Sequence, residues 1–204
     1  MVPIHIEPGL IQQQKKQLRS AMRAQRRGLA PELRVELNAA LNDRLLNRLL
    51  ELTPCRVAAY LAFDGEPDLA ALFGPLRKAG FQFALPFIEK QGPESRMVFR
   101  HWQPEDMLSE NSLGFAEPAT GAEVQAAEMG VILMPLVAWD SNGSRLGMGA
   151  GYYDKTLAPL RDLQNPLRIG IAFDVQRSNE IPVDPHDVPL HELISDSQRF
   201  TFTA

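Results

Sequence analysis

An α/β domain built on a largely parallel sheet flanked by helices follows from three features of this chain. Short apolar runs at Val57 to Leu61, Val131 to Val137 and Arg168 to Phe173 read as buried strands. Stretches with apolar residues at three- to four-residue spacing alternate with them and read as helices, an order that favours parallel pairing. Finally, 204 residues with 45% hydrophobic content suit one domain with a sizeable core, residues 1–204 throughout.

Residues 1–11 are expected to be a loosely ordered N-terminal segment. Pro3, Pro8 and Gly9 break any apolar core of the kind a secretory signal needs. A first helix is predicted over Gln12 to Arg27, ending at Gly28, with Leu18 and Met22 on its inner face. Lys15, Arg19, Arg23 and either Arg26 or Arg27 recur along another face. Such a stripe is usually a solvated face, the alternative being a row of anion contacts. Pro31 opens a second helix, and Leu33, Leu37, Leu41, Leu45 and Leu49 repeat every four residues as core packing up to Pro54. After the strand Val57 to Leu61 comes a loop and a helix from Asp68 to Gly80. Glu66 and Asp68 in that loop either favour the positive end of the helix or face a ligand, because open α/β sheets bind ligands at strand C-terminal ends. Gln82 to Ile88 and Met97 to Trp102 read as strands joined across Gly92-Pro93. Leu108 to Pro118 reads as an ordered loop in which Phe115 makes a core contact or, as the alternative, faces a ring system, and Leu193 to Ser195 with Phe200 to Phe202 closes the sheet.

Net charge of -4 gives no general attraction to nucleic acid or to an anionic membrane, so a polyanion site must be local. An RNA-binding use of the Lys15 to Arg27 stripe also lacks interleaved aromatics. No apolar run is long enough to span a bilayer. Cys55 is the single cysteine and cannot form an internal disulfide, which suits a soluble protein of the cytoplasm with Cys55 as buried filler. His186, Asp187 and His191 have no further histidine or cysteine placed to complete a transition-metal shell.

The most informative stretch runs from Trp139 to Leu157. It follows a buried strand and leads into a helix pattern, with Gly147, Gly149 and Gly151 between them. Positive φ at such glycines turns several amides into one concavity near a helix start, while Arg145 and Lys155 add cations, a combination that suits phosphate. The same residues also fit a plain hairpin closed by Asn142-Gly143 and followed by a crowded turn. Neither a Walker loop nor a dinucleotide fingerprint is present.

Arg145 to Asp154, Arg-Leu-Gly-x-Gly-x-Gly-Tyr-Tyr-Asp, closely resembles the signature of the 5-formyltetrahydrofolate cyclo-ligase family, and Lys15 to Arg19 resembles its Lys-x-x-Leu-Arg segment. The resemblance runs in order from Lys15 to Phe202. It implies a NagB/RpiA/CoA-transferase-like fold and ATP-dependent closure of 5-formyltetrahydrofolate to 5,10-methenyltetrahydrofolate, through phosphorylation of the formyl oxygen. ATP would be held by Lys15, Lys16, Gln17, Leu18 and Arg19 and by Arg145, Leu146, Gly147, Met148, Gly149, Ala150, Gly151, Tyr152 and Tyr153. Arg145 and Tyr153 would act in catalysis, Leu61, Phe63, Glu66 and Tyr152 would meet the folate, and Asp154 and Asp187 would hold Mg²⁺. A monomer acting on a small molecule is implied. Two positions depart from the family pattern: Ala150 is commonly glycine or lysine, and Lys155 is commonly arginine. Because alanine tolerates positive φ poorly, Ala150 motivates the alternative of a non-enzymatic nucleotide- or folate-binding regulator on the same fold.

Overall fold

A computed structural model describes residues 8–91 and 94–202 and forms one α/β unit. In chain order the elements are α1 (Pro8–Arg27), α2 (Pro31–Leu50), β1 (Arg56–Ala58), α3 (Ala70–Lys78), β2 (Gln82–Gln91), β3 (Glu94–Trp102), β4 (Leu108–Glu110), β5 (Ala116–Pro118) and β6 (Glu123–Val124). They continue with β7 (Val131–Pro135), β8 (Ala138–Trp139), β9 (Arg145–Leu146), α4 (Tyr152–Leu157), β10 (Leu167–Ile171), β11 (Glu192–Ile194) and β12 (Arg199–Thr201).

The main sheet has the order β12-β11-β10-β7-β1-β2-β3-β6. Its middle, from β11 to β2, is parallel. Antiparallel pairings finish both edges, β12 on β11 and β3 with β6 beyond β2. Strand periodicity divides the core between two faces. Val57, Val131 and Leu133 pack with Leu41, Leu45 and Leu49 of α2 and Leu72, Phe73 and Leu76 of α3. Their neighbours Ala58, Ile132 and Met134 pack on the opposite face with Met97, Phe99 and Leu157. Leu18 and Met22 of α1 close over a small cluster of Ala138, Leu146 and Ile181, which ties the first helix to the β8–β9 hairpin.

Several boundaries differ from the sequence expectation. Residues 8–11 belong to α1 instead of the loose segment, since Pro8 suits a first helical turn, where its missing amide donor costs nothing; residues 1–7 lie outside the described residues, as does the Gly92-Pro93 turn. Strand β1 is shorter than Val57 to Leu61 because the chain peels away into the next loop, where the Tyr60 hydroxyl donates to the Pro67 carbonyl at 3.0 Å. Asp68 precedes α3 and its carboxylate accepts from the Ala70 amide at 2.9 Å, so its role is that of a helix-start residue. The loop from Leu108 to Pro118 contains the β4–β5 ribbon, anchored by buried Glu117, which accepts from Ile88 N at 3.1 Å and Asn111 Nδ2 at 3.0 Å. Cys55 is half-buried rather than buried and sits against Gly130. No helix among the described residues is long and apolar enough to cross a membrane.

Candidate active site

Strands β1, β7 and β10 are mutually parallel through β7, so their C-terminal ends share one edge of the sheet. The segments that leave this edge carry Glu66, the glycine loop and Asp187, and α1 packs beside β8. This is the edge at which open α/β sheets take ligands.

The glycine loop begins in a real hairpin. Asp140, 1% exposed, accepts the Asn142 and Ser144 amides at 2.9 and 3.0 Å on one carboxylate oxygen and the Ile181 amide at 3.0 Å on the other. Asn142-Gly143 therefore turns the chain, and the ligand-type loop follows as a separate feature. Within it Gly149 and Gly151 have φ of 108° and 69°, whereas Gly147 lies outside the left-handed region. Ala150 is also outside it, so alanine fits this position without strain. Helix α4 has only 6 residues and adds little dipole, contrary to the expected helix-end contribution, so side-chain cations must supply most of the positive field.

Those cations converge. Lys15 Nζ is 2.5 Å from Asp187 Oδ2, Arg19 Nε donates to Gly147 O at 2.8 Å, and Arg145 Nη2 is 2.6 Å from Asp154 Oδ1. Burial lowers the Arg19 pKa while Asp187 opposes the shift, so Arg19 is partly stripped of water beside that carboxylate. Arg145 is 7% exposed, and its buried Nε has no partner. Asp154 Oδ1 also accepts from Val188 N at 3.0 Å, which brings it next to Asp187. A cavity of about 380 Å³ opens here, lined in part by Ser144, Arg145, Arg161 and Asp187. Lys16, Gln17, Met148, Ala150 and Lys155 are exposed, and Leu18 and Leu146 are spent on packing. Among the described residues no group of three or more metal-type side chains forms. Asp154 accepts from the amide that follows Asp187 in the chain, and both carboxylates are hard oxygen donors of the kind magnesium takes together with waters and phosphate oxygens. His191 is committed elsewhere, its ring nitrogens meeting Arg168 N at 3.2 Å and Arg168 Nη2 at 2.5 Å.

The β1 side has the opposite character. Glu66 is 9% exposed and its Oε2 accepts from Phe63 N at 3.1 Å. Burial pushes its pKa up to about 7, against the pull of Arg26 and the Phe63 amide. Burial, reinforced by Glu66, also raises both Tyr60 and Tyr153, so the three groups lie within electrostatic reach of one another; Tyr60 is buried, and Tyr153 is partly buried. Phe63 stays 37% exposed and meets Phe115 edge-on at 6.3 Å, so Phe115 lines this surface instead of making the expected core contact. Leu61 is half-buried beneath them. The two tyrosines part company: Tyr152 OH lies 3.0 Å from Ser95 Oγ and borders a cavity of about 670 Å³ with Met97 and Phe99. Asp64 and Asp140 were not singled out from sequence. Asp64-Gly65 carried only a turn signal, and nothing local shows that both carboxylates are buried hydrogen-bond centres.

A profile of the 5-formyltetrahydrofolate cyclo-ligase family matches residues 11–196. The chain is 33% identical over 144 residues to a 5-formyltetrahydrofolate cyclo-ligase of Escherichia coli, covering 70% of this chain and 78% of that one. To the enzyme of that name from Mycolicibacterium smegmatis it is 30% identical over 186 residues, covering 89% and 93%. The solved structure of Aquifex aeolicus 5,10-methenyltetrahydrofolate synthetase superposes with a TM-score of 0.76 at 28% identity and 93% coverage of each chain. The chain belongs to the 5-formyltetrahydrofolate cyclo-ligase family.

Proposed function

We infer that the protein uses ATP to close 5-formyltetrahydrofolate to 5,10-methenyltetrahydrofolate, releasing ADP and phosphate. The observation that carries this reading is the meeting of Lys15, Arg19 and Arg145 with Asp154 and Asp187 at the glycine loop, on the sheet edge that also holds Glu66 and Tyr153. Family membership supports it, and an ordinary φ at Ala150 removes the motive for a regulator without turnover.

A formamide oxygen is a poor leaving group. Phosphoryl transfer corrects this: the formyl oxygen forms a bond to the γ-phosphorus as the bond to ADP breaks. N10 then attacks the activated carbon, its proton is lost, and phosphate departs with the original formyl oxygen. The chain need supply no covalent nucleophile. Its task is alignment and compensation of charge. Lys15, Arg19 and Arg145 exchange their present partners for phosphate oxygens, the arginines by forked hydrogen bonds. Asp154 and Asp187, freed of lysine and arginine, would hold magnesium, which offsets phosphate charge when bound. Tyr153 is protonated at neutral pH, as any tyrosine is, and burial only reinforces this, so it offers a hydroxyl donor and a ring face. Glu66 supplies an acceptor for folate N–H groups between Leu61 and Phe63, and Tyr152 flanks the far side.

The protein is read as a monomer of the cytoplasm, where the lone Cys55 suits a reducing environment. Absorbance of the methenyl product in a mixture of protein, ATP, Mg²⁺ and 5-formyltetrahydrofolate tests the reading. Product should accumulate only when all are present. Retained binding of both ligands without product would contradict it.

A further inference from the structure

We propose that Asp64 is a positioning residue that fixes the folate-side turn onto the helix bearing the ATP-side cations, a role that rests on the function proposed above. Among the described residues Asp64 is the single non-glycine residue with positive φ, at 56°, and Gly65 follows at 77°. The Glu66 amide donates to the Phe63 carbonyl at 3.0 Å. Two successive positive φ values closed by that hydrogen bond have the φ pattern of a type I′ turn. Its two ends are Phe63 and Glu66, and Glu66 Oε2 returns to accept the Phe63 amide at 3.1 Å. The conformation of Asp64 therefore sets where both folate-side residues point.

That conformation is disfavoured for a residue with a Cβ, and contacts from elsewhere must hold it. They come from α1. The Asp64 side chain is 2% exposed, and its carboxylate receives Arg23 Nε at 2.7 Å, Arg26 Nη2 at 2.9 Å and Arg27. Arg26 Nε also donates to the Asp64 carbonyl at 3.2 Å. Arg34 of α2 adds a strut, donating to Gly65 O and Arg26 O at 2.8 Å each. Arg26 reaches further still, giving Nη1 to the Leu136 carbonyl at 3.1 Å just beyond β7.

One helix thus touches Asp187 through Lys15, the glycine loop through Arg19 and the folate-side turn through Arg23, Arg26 and Arg27. From Lys15 to Arg26 it spans roughly 16 Å at 1.5 Å per residue. Neither Asp64 nor these three arginines need touch a reacting atom. Asp64 lets the pocket that takes the folate sit in register with the cations that take ATP.

The test compares Asp64→Asn and Arg23→Ala with wild type. Asn tolerates positive φ and nearly preserves shape, so Asp64→Asn removes the charge that the arginines grip, and Arg23→Ala weakens the grip from the half-exposed side. Steady-state KM for each substrate and calorimetric binding of 5-formyltetrahydrofolate and of a non-hydrolysable ATP analogue give the split. The expected result is folate KM and Kd raised tenfold or more in Asp64→Asn and about threefold in Arg23→Ala, with the ATP-side values within twofold. Equal changes on both sides, or a lowered Tm with folate binding intact, overturns the role. Should Asp64→Asn not fold, Arg23→Ala alone decides by the same split. A wild-type protein that binds folate but makes no methenyl product would count against the proposed reaction, while the binding comparison would still judge Asp64.

Discussion

The two halves of the site solve the problem of a polar ligand in opposite ways. Around the glycine loop, cations and carboxylates are stored as pairs, Lys15 with Asp187 and Arg145 with Asp154. Around β1, buried Glu66 and Tyr60 and partly buried Tyr153 are all shifted toward their uncharged forms. Removing one partner from an ion pair of the first half leaves the other charge uncompensated, so a ligand that brings both an anion and a cation costs that half least. ATP with magnesium provides both signs at once. The second half suits a largely uncharged ring system and strengthens each hydrogen bond made there, because water is scarce. Joining a charged donor to a neutral acceptor at one sheet edge is what phosphoryl transfer to a formamide requires.

The contrast is broken most strongly by Arg145→Ala. If Arg145 binds the transferring phosphate as proposed, its loss should lower kcat/KM for ATP by about 100- to 1000-fold with little change in folate binding. Kinetics with each substrate varied in turn would show this; a raised folate KM with an unchanged ATP parameter would assign Arg145 to the wrong half.

Glu66→Gln tests the other half. A carboxyl whose folded pKa is about 7, raised from the ordinary 4.5, favours the folded state below 4.5 and loses that advantage as pH climbs to about 7. The loss amounts to roughly 3 kcal/mol. Glutamine does not titrate, so the Tm of Glu66→Gln relative to wild type should rise steadily between pH 4.5 and 7, while the folate KM increases. A constant Tm difference across that range would mean that Glu66 is not held in a low-dielectric pocket.

Asp154→Asn and Asp187→Asn sharpen the comparison on the charged side. Each removes one hard anionic donor, and half-saturating magnesium should rise by about tenfold or more. If both variants follow the wild-type magnesium titration, the carboxylates serve only their present ion pairs. Gly149→Ala is the mildest change. Its Cβ would meet Arg19 Cζ at 3.4 Å, ordinary contact, so the cost comes from φ of 108° and should be about 1 kcal/mol, read as a lower Tm.

The same two halves differ in how far sequence reveals them. Periodicity gave the strands β7 and β10 and the packing face of α2 from Leu37 to Leu49, since these depend on local spacing of apolar residues, whereas Leu33 at the start of α2 is exposed. The family resemblance brought Lys15, Arg19, Asp154 and Asp187 forward beside Arg145 of the glycine loop, and the structure pairs Lys15 with Asp187, Arg145 with Asp154 and Arg19 with the Gly147 carbonyl. Their mutual pairing was hidden, because a contact 172 positions apart leaves no local pattern. The bland and the functional readings of the cationic stripe were both too simple: Lys15 and Arg26 are buried, whereas Lys16 and Gln17 remain in solvent. Asp64 shows the limit best. Asp-Gly suits a turn, but the three arginines of a helix some forty positions earlier that grip its carboxylate leave no local signal. Equally, Tyr152 and Tyr153 are adjacent in sequence and diverge in space, a separation fixed by the start of α4 after Gly151.

The fate of one oxygen tests most directly that the two halves meet in phosphoryl transfer. 5-Formyltetrahydrofolate labelled with ¹⁸O in the formyl group would be turned over with unlabelled ATP in ordinary water, and the released phosphate read by mass spectrometry. Transfer of the γ-phosphoryl group to the formyl oxygen before ring closure carries that atom away on phosphorus, so one ¹⁸O should appear in each phosphate formed. Unlabelled phosphate with the label found in solvent water would mean that hydroxide or water leaves the carbon and ATP acts elsewhere in the cycle, which contradicts the activation of the formyl oxygen at this site.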